Sequence, residues 1–311
     1  MHTDTHGLQK PGALRLATVA LLLAAAPASA QERRAVVDET GRRVEVPARV
    51  ERIVTLAPNL TEIVFALGLE EKLVGVTSHC DFPAAARSKP QVGDVVNPSL
   101  EKILELKPDV VFGSTAGNRR ETVEALERLG VPLYGVEARS VEGIFVSIRD
   151  IAELAGAPRA GAELAGRLEA RLAALGVHTA AGPAPRVLFA IWMEPLVTIG
   201  NDTFLNDVLA RAGAESVTAD LGESWPRLSV EEVIRRDPDY LILPRTHSLQ
   251  ASFERLVQEE PWRRLRAVRE NRIVWLDDAV LRPGPRIVDA IEELARALHP
   301  EIATREEKAQ K

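Results

Sequence analysis

The chain has 311 residues, 39 of them basic and 45 acidic, which gives a formal net charge of −6 at pH 7. This mildly acidic balance, without a basic patch, argues against a protein that binds nucleic acid. The single cysteine, Cys80, excludes an intramolecular disulfide framework, so stability must come from an apolar core. The length is sufficient for two domains of ordinary size.

The first 30 residues have the features of a cleavable signal peptide. Lys10 and Arg15 form a basic start, residues 16–25 are an apolar run, and Ala28-Ser29-Ala30 matches a signal-peptidase site. The run is about half of the roughly 20 residues that a membrane-spanning helix needs. We therefore predict an exported, periplasmic protein that begins near Gln31, with an uncleaved membrane anchor as the alternative. No cysteine follows the run, so a lipid anchor is not expected.

Residues 31–140 alternate short apolar runs with amphipathic segments and form the predicted N-terminal lobe. Strands are predicted at 52–56, 73–77, 109–112 and 133–136, and helices at 61–67 and 121–129, closed by Gly68 and Gly130. Short apolar strands separated by helices indicate a parallel sheet that is covered on both faces. Ligands of such sheets bind beyond the carboxyl ends of the strands.

The pattern changes to helix between residues 141 and 178, the predicted linker. Residues 159–175 are rich in Ala, Leu, Glu and Arg and predict a helix of roughly 25 Å, long enough to connect two lobes. The predicted C-terminal lobe, residues 179–300, has strands at 186–192 and 272–276 and helices at 204–212 and 286–298. The charged tail, residues 301–311, is expected to fray.

One sequence pattern occurs twice, at residues 99–112 and 229–242. In each copy a serine can cap a helix, a glutamate lies in its first turn, an apolar stripe follows, and Pro-Asp ends the helix before a short strand. Two copies are too few for a solenoid. The repeat therefore predicts an α/β protein whose two similar lobes face each other across a cleft.

Several motifs in a fixed order carry a family resemblance. They are Asp38-x-x-Gly41-Arg42-x-Val44-x-Val46-Pro47, Arg52-Ile53-Val54-x-Leu56-x-Pro58-x-x-Thr61-Glu62, Val74-Gly75-Val76-Thr77-x-x-x-Asp81-Phe82-Pro83, Ser224-Trp225-Pro226-x-x-Ser229-x-Glu231 and Pro285-Arg286. Nearly the whole exported chain resembles the periplasmic binding proteins for iron-siderophores, haem or cobalamin, most closely the cobalamin-binding members. The resemblance implies two Rossmann-like lobes with parallel-type sheets, one long backbone α-helix that joins them, and a ligand cleft between the lobes.

The resemblance also implies what the chain does. Its members are monomers without enzymatic activity that deliver a metal-chelate to the transmembrane subunits of an ABC importer. Cobalamin or another corrinoid is the expected ligand, and haem and a ferric siderophore are the alternatives. By their place in the repeat, Glu101 and Glu231 match the carboxylates that dock onto arginines of the importer. Each glutamate could instead only stabilise its own helix start, by about 0.3–1 kcal/mol.

The predicted ligand site is formed by loops that follow the strands of both lobes. Its candidate residues are Pro58, Asn59, His79, Asp81 and Phe82 from the first lobe and Trp192, Trp225 and Arg282 from the second. Flat aromatic side chains can bury the wide face of a corrinoid or porphyrin at low entropic cost. For Trp192 the alternative is a core position at a strand end. Trp262 and Trp275 are expected to pack inside the second lobe.

No resident metal site is predicted, because the spacing of His79, Asp81 and His247 matches no compact site for a bare ion. His79 could still be an axial ligand to haem iron or corrinoid cobalt. The segment His79-Cys80 differs from the Ser-Tyr-Ser-Asp-Tyr-Pro segment of the cobalamin-binding relatives, and Val95-Val96 stands where those relatives have a tryptophan. Both differences leave the identity of the chelate open.

Motifs of the common enzyme classes do not occur in the sequence. It contains no Gly-x-Ser-x-Gly elbow, phosphate-binding loop, His-Glu-x-x-His or dinucleotide fingerprint. An exported two-lobe hydrolase that uses Asp81, His79 and a serine remains an alternative, as does a ligand sensor without transport. Uptake of the ligand in a deletion strain distinguishes transport from sensing.

Overall fold

The structure is a computed structural model that describes His2 and residues 32–179, 183–300 and 302, without the side chains of 177–179. The predicted signal peptide, apart from His2, and the charged tail, apart from the buried Ile302, lie outside the described residues. Those from Glu32 onward belong to one structural unit. Within this part of the chain, no helix combines the length and hydropathy needed to cross a membrane.

The described chain begins with an antiparallel hairpin of β1 (Arg33–Val37) and β2 (Arg43–Pro47). Its turn is held by Asp38, whose carboxylate accepts hydrogen bonds from the backbone N–H groups of Thr40 (3.1 Å) and Arg42 (2.9 Å). Gly41 has a φ of +83°, a conformation that favours glycine. Neither strand was predicted, because β1 has no fully buried residue and β2 has only two apolar residues, Val44 and Val46, in alternation with charged ones.

The first lobe is built on a four-stranded parallel sheet with strand order β4-β3-β5-β6. Its elements are β3 (Ile53–Thr55), α1 (Pro58–Ala66), β4 (Leu73–Gly75), α2 (Leu100–Glu105), β5 (Val110–Ser114), α3 (Arg120–Arg128) and β6 (Leu133–Val136). All of the predicted strands and helices of this lobe are present, with ends that differ from the predicted ones by no more than three residues. The first helix begins earlier than predicted, because Pro58 is favourable in the first turn of a helix.

Two helices separate this sheet from a second one. They are α4 (Val141–Leu154) and α5 (Pro158–Thr179). The second lobe contains β7 (Arg186–Met193), β8 (Leu196–Thr198), α6 (Phe204–Arg211), β9 (Glu215–Ser216), α7 (Val230–Arg236), β10 (Tyr240–Pro244), α8 (His247–Leu256), α9 (Arg266–Arg269), β11 (Ile273–Leu276) and α10 (Ile287–Leu298). The strand order is β11-β10-β7-β8, with β9 beside β7. All pairs are parallel except β7 with β8.

The long helix predicted at residues 159–175 lies within α5, which packs against α4 and α10. Its 22 residues span roughly 33 Å. Ion pairs support both contacts: Arg149 of α4 lies 2.5 Å from Glu169, and Arg171 lies 2.8 Å from Glu292 of α10. Helix α5 therefore connects the two lobes and contacts a helix on each side.

The repeated pattern forms the same local structure in both lobes. The hydroxyls of Ser99 and Ser229 accept hydrogen bonds from backbone N–H groups in the first turns of α2 and α7, as predicted. Each helix ends before its Pro-Asp pair, as predicted, and the residue directly before each proline lies in the left-handed region. These residues are Lys107 (φ 44°) and Asp237 (φ 43°). The left-handed residue turns the chain, and the proline follows that turn.

The aspartate of each Pro-Asp pair fixes the start of a neighbouring strand. Asp109 accepts hydrogen bonds from the backbone N–H groups of Glu51 (2.7 Å) and Arg52 (2.9 Å). Asp239 accepts one from the backbone N–H group of Arg186 (2.8 Å). The repeat thus sets the position of strands as well as helices.

The apolar core has one large cluster that continues through both lobes and two smaller ones, each within a single lobe. The large cluster contains Phe112 and Phe145 from the first half, Leu168 of α5, and Phe189 and Ile291 from the second half. Trp262 is buried, and Trp275 packs edge-to-face on Phe253 at 5.4 Å, as expected for both. The carboxyl ends of the strands remain as the place for a site.

Candidate functional site

Segments from both lobes border a cleft of about 210 Å³. On one side lie the segments that follow β5 and β6. On the other lie the start of α6, the loop with Trp225 and Pro283. The lining residues are Ser114, Thr115, Ala116, Glu137, Ala138, Arg139, Asp202, Thr203, Phe204, Ser224, Trp225 and Pro283. Parallel sheets bind ligands beyond the carboxyl ends of their strands, and the first-lobe wall occupies that position.

Trp192 and Trp225 lie on neighbouring segments of the second lobe. Trp192 of β7 is paired with Val197 of β8, which is bridged in turn to Arg227. The backbone N–H of Gly200 donates a hydrogen bond to the carbonyl of Ser224 (3.0 Å), so the segment with Trp225 runs beside the one that follows β8.

Both tryptophans are unusually exposed for their size, Trp192 at 46% and Trp225 at 50%. The alternative that Trp192 is a core residue at a strand end is therefore wrong. Its indole N–H donates a hydrogen bond to the carbonyl of Glu194 (2.8 Å), which fixes the ring in the turn after β7. Trp225 borders the cleft directly. The exposed rings of Trp192 and Trp225 are two apolar surfaces that a flat ligand could cover.

Pro58 and Asn59 lie at the start of α1, directly after β3. Pro58 is half-buried, whereas Asn59 is buried and donates a hydrogen bond from its amide to the carbonyl of Pro283 (3.2 Å). Gly284 packs closely on Asn59, since an added Cβ there would lie 3.5 Å from that residue. Asn59 therefore connects the two lobes beside the cleft. Its predicted contact with the ligand stays a prediction.

Arg282, predicted as a ligand contact, belongs to an ion cluster between the lobes. Its guanidinium lies 2.7 Å from Asp81 and 3.1 Å from Glu62. Arg286 also reaches Glu62, at 2.7 Å, and the Glu62 side chain is only 3% exposed. The hydrogen bond from Arg282 lowers the pKa of Asp81 below its usual value. Asp81 and Arg282 bind each other in this structure, and their predicted contact with the ligand stays a prediction.

Phe82 and Trp225 border different cavities. The Phe82 ring lies 4.0 Å from the guanidinium carbon of Arg286 and is 44% exposed. It borders a cavity of about 330 Å³ that is also lined by Phe65 of α1 and Arg171 of α5. Phe82 is therefore placed beside the connecting helix, and its predicted ligand role remains untested.

His79 is exposed, and its Nδ1 lies 3.3 Å from the hydroxyl of Ser78. Asp94 is close enough for His79 to contribute to the lowering of its pKa, after the larger effect of the Asn97 backbone hydrogen bond. Cys80 is buried and contacts the hydroxyls of Thr61 (3.0 Å) and Thr77 (3.2 Å). Among the described residues no group of three His, Cys, Asp or Glu side chains could hold a metal ion.

Glu101 and Glu231 occupy equivalent positions in the first turns of α2 and α7, and both are exposed. Neither forms an ion pair with another described residue. Glu232, by contrast, is paired with Arg235 and with Arg236 (2.6 Å). Each half thus presents one carboxylate that is available to an external cation.

A buried carboxyl group, Glu39, lies directly behind the cleft wall. One of its oxygens accepts hydrogen bonds from the backbone N–H of Glu137 (2.7 Å) and the hydroxyl of Ser147 (2.9 Å), and the other is buried without a hydrogen-bond partner. Burial raises its pKa to about 7, with a smaller contribution from the nearby Asp150. Glu39 therefore holds a proton at pH values where glutamate is usually ionised.

Sequence reasoning missed part of the cleft wall, namely residues 137–139 and Asp202. Residues 137–139 follow β6 directly, so the rule that predicted the loops after β3, β4 and β5 would have found them. Asp202 lies in the loop before α6, next to Gly200 and Asn201, and carries no comparable signal. Ser114 lies at the carboxyl end of β5, where the same rule places a ligand, and Pro283 follows the predicted contact Arg282.

Three comparisons relate the chain to known proteins. The family model described as "Periplasmic binding protein" matches residues 53–280. The vitamin B12-binding protein of Vibrio parahaemolyticus is 31% identical over 248 residues, which are 79% of this chain and 88% of that protein.

Two solved structures are similar to this chain over most of its length. The periplasmic haem-binding protein RhuT from Roseiflexus sp. RS-1 is 32% identical with a TM-score of 0.73, and the match covers 81% of this chain and 98% of that one. The periplasmic vitamin B12-binding protein BtuF of Vibrio cholerae is 28% identical with a TM-score of 0.71, over 82% and 98% of the two chains. The two-lobed α/β fold predicted from the sequence is confirmed.

Proposed function

Because the chain belongs to the periplasmic binding protein family of ABC importers, we propose that it captures a corrinoid in the cleft and delivers it to the importer. The observation that carries the choice of a flat ligand is the pair of exposed tryptophans, Trp192 and Trp225, on segments that are neighbours through β8. The flat face of a macrocycle can bury exposed aromatic rings of this kind. Relatives named for vitamin B12 binding support the corrinoid.

The exposed tryptophan surface accounts for much of the affinity. Roughly 100 Å² of each ring is open to solvent, and its burial contributes about 2–3 kcal/mol per tryptophan. Aromatic rings lose little conformational entropy on binding. Capture requires no covalent chemistry, and the protein acts as a carrier. The predicted export signal is consistent with the periplasmic location of the family.

Delivery requires that the loaded protein be recognised by its membrane partner. Glu101 and Glu231 supply one exposed carboxylate per lobe at equivalent places in the repeat. A guanidinium can bind a carboxylate through two parallel hydrogen bonds, and two such contacts fix an orientation on a partner with two similar subunits. The long helix α5, packed on both lobes, limits the movement between them and keeps the two carboxylates at a defined separation.

Haem is the second candidate ligand, and one specific finding favours it. RhuT, at 32% identity, is named for haem binding, and His79 is an exposed imidazole after β4 that could reach an iron axial position. A ferric siderophore is also bound within the wider family. The same cleft serves all three ligands, so direct binding separates them.

The test is a calorimetric titration of residues 31–311 with cyanocobalamin, haem and a ferric siderophore in one buffer. We expect saturable one-to-one binding of cyanocobalamin and none of haem. Haem binding alone would contradict the corrinoid assignment and direct attention to His79. If none of the three ligands binds, the carrier function is contradicted, and the sensor and hydrolase alternatives have to be considered again.

Mutation of Trp225 tests whether an exposed tryptophan contributes to ligand binding. Trp225→Ala should weaken cyanocobalamin binding by about 10- to 50-fold, because it removes about 2 kcal/mol of apolar contact. Leu129→Ala is the matched control, since Leu129 is 49% exposed but does not border the cleft. Equal affinities of the two variants would refute the role of Trp225.

A further inference from the structure

The first lobe contains a side chamber of about 520 Å³ between its sheet and α3. This volume is within the range of small-molecule sites in proteins. Its lining residues are Thr40, Arg42, Gly113, Ser114, Thr115, Asn118, Arg120, Val123, Glu124, Glu127, Leu133 and Gly135. None of the ligand contacts predicted from the sequence lies in it.

Two glycines that are paired across adjacent strands line the side chamber. Gly113 of β5 and Gly135 of β6 are register partners, and an added Cβ at Gly113 would lie 3.3 Å from the amide oxygen of Asn118. Leu133 and Val123 supply apolar lining. An added Cβ at Gly135 would lie 3.0 Å from the Asp38 carboxylate, so the backbone is held close to the hairpin turn.

The side chamber adjoins the cleft. Ser114 and Thr115 line both, at the carboxyl end of β5, and the backbone N–H of Thr115 donates a hydrogen bond to the carbonyl of Val136 (3.1 Å). When a ligand in the cleft contacts Trp225, an arm of that ligand that extends past Thr115 can therefore enter the side chamber.

The charges at the rim of the side chamber are already paired. Arg42 lies 2.6 Å from both Asp38 and Glu127, and Arg120 lies 2.9 Å from Glu124. A charged arm would have to compete with an existing ion pair. Glu124 and Glu127 each use only Oε1 in these bonds, and their Oε2 atoms accept no hydrogen bond from a described residue. The rim therefore offers hydrogen-bond acceptors, which suit a ligand that donates N–H groups.

We propose that the side chamber receives an uncharged carboxamide arm of the ligand and discriminates against carboxylate arms. This inference rests on the proposed function, because a corrinoid carries primary carboxamides around its ring whereas haem carries carboxylates. The amide N–H groups donate to Glu124 and Glu127, and the amide carbonyl accepts from the hydroxyl of Thr115. A carboxylate has no N–H to donate to these glutamates, and their ion pairs with Arg42 and Arg120 leave neither guanidinium without a partner to bind it.

The test compares cyanocobalamin with its separated monocarboxylic acids, in which one peripheral amide is hydrolysed. Wild-type protein should bind at least one of the acids tenfold or more weakly than cyanocobalamin. Glu124→Gln leaves Arg120 without its partner, so it should reduce that ratio at least threefold. The matched control is Glu163→Gln, which removes the partner of Arg159 in a pair of the same spacing, 2.8 Å long, on α5.

The proposal would be overturned if the ratio of cyanocobalamin affinity to acid affinity were the same in wild type and Glu124→Gln. It would also be overturned if wild type bound cyanocobalamin and all of its monocarboxylic acids with equal affinity. Val123→Phe, which fills the side chamber, should weaken cyanocobalamin binding at least fivefold while thermal unfolding shows that the protein is folded; unchanged binding would also overturn it. If wild type binds no corrinoid at all, the proposed function has failed first, and the carboxamide assignment falls with it.

Discussion

Glu62 is the residue whose replacement most directly tests the interlobe ion cluster. Its side chain is 3% exposed and accepts three hydrogen bonds from guanidinium groups, one from Arg282 (3.1 Å) and two from Arg286 (2.9 and 2.7 Å). Glu62→Gln keeps the shape of the side chain but removes its charge and turns one acceptor into a donor that faces the arginines.

The expected cost follows from the surroundings of the two arginines. Breaking a buried ion pair by removing one partner costs about 3–5 kcal/mol. Arg282 keeps Asp81 at 2.7 Å, and Arg286 keeps Asp277 at 3.4 Å, so the lower end of that range applies. We expect Glu62→Gln to lower the free energy of unfolding by about 3 kcal/mol.

Urea unfolding followed by far-ultraviolet circular dichroism measures this change, with the exposed Glu71→Gln as a control. In a protein of this size the same loss lowers the midpoint of thermal unfolding by roughly 6–12 °C. A change below about 1 kcal/mol, or one no larger than that of the control, would refute the reasoning. A double-mutant cycle with Arg286→Met should show coupling, because the two side chains share hydrogen bonds.

Two further predictions concern charge. Burial raises the pKa of Glu39 in the folded state to about 7, above its value in the unfolded state. Between these two pKa values the folded state holds a proton that the unfolded state has released. The free energy of unfolding therefore falls as the pH rises from about 4.5 to about 7. Glu39→Gln should remove about 1–2 kcal/mol of that fall, a value reduced because the residue as a whole is only half-buried. The measurement is urea unfolding at pH 5 and pH 8 with Glu121→Gln as control, and parallel pH profiles of wild type and variant would contradict it. Replacing both Glu101 and Glu231 by alanine should leave ligand affinity unchanged and abolish stimulation of the importer ATPase. The control, Glu121→Ala with Glu254→Ala, also removes one exposed glutamate per lobe and should leave the stimulation intact. Full stimulation by the Glu101 and Glu231 variant would rule out their docking role.

The parts of the fold that could be predicted are those specified by short segments. Serine caps, helix-closing glycines and apolar strands appear in the structure near their predicted positions, because each depends on interactions within a few residues. The β7–β8 hairpin and α8 were not assigned. The residues from Trp192 to Thr198 read as a strand end with a loop. Helix α8 could have been predicted, because Leu249, Phe253 and Leu256 have helical spacing and Thr246 caps its start.

The site was predictable in its location and less so in its contacts. The rule for carboxyl ends of strands led to the segment with Ser114, and the family motif led to Trp225. Neither could show that Arg282 would bind Glu62, because these residues are 220 positions apart and no local pattern links them. The side chamber likewise combines residues from the hairpin turn, β5, β6 and α3, which no local pattern links.

The large apolar cluster that continues through both lobes has a consequence for how the protein unfolds. Phe112 of the first sheet, Leu168 of α5 and Phe189 of the second sheet belong to the same buried cluster, so neither lobe retains a complete interior without the other. The two halves are similar in local structure but are not separately folding domains. Calorimetric melting should therefore show one cooperative heat-absorption peak, and a fragment that ends before α5 should remain unfolded.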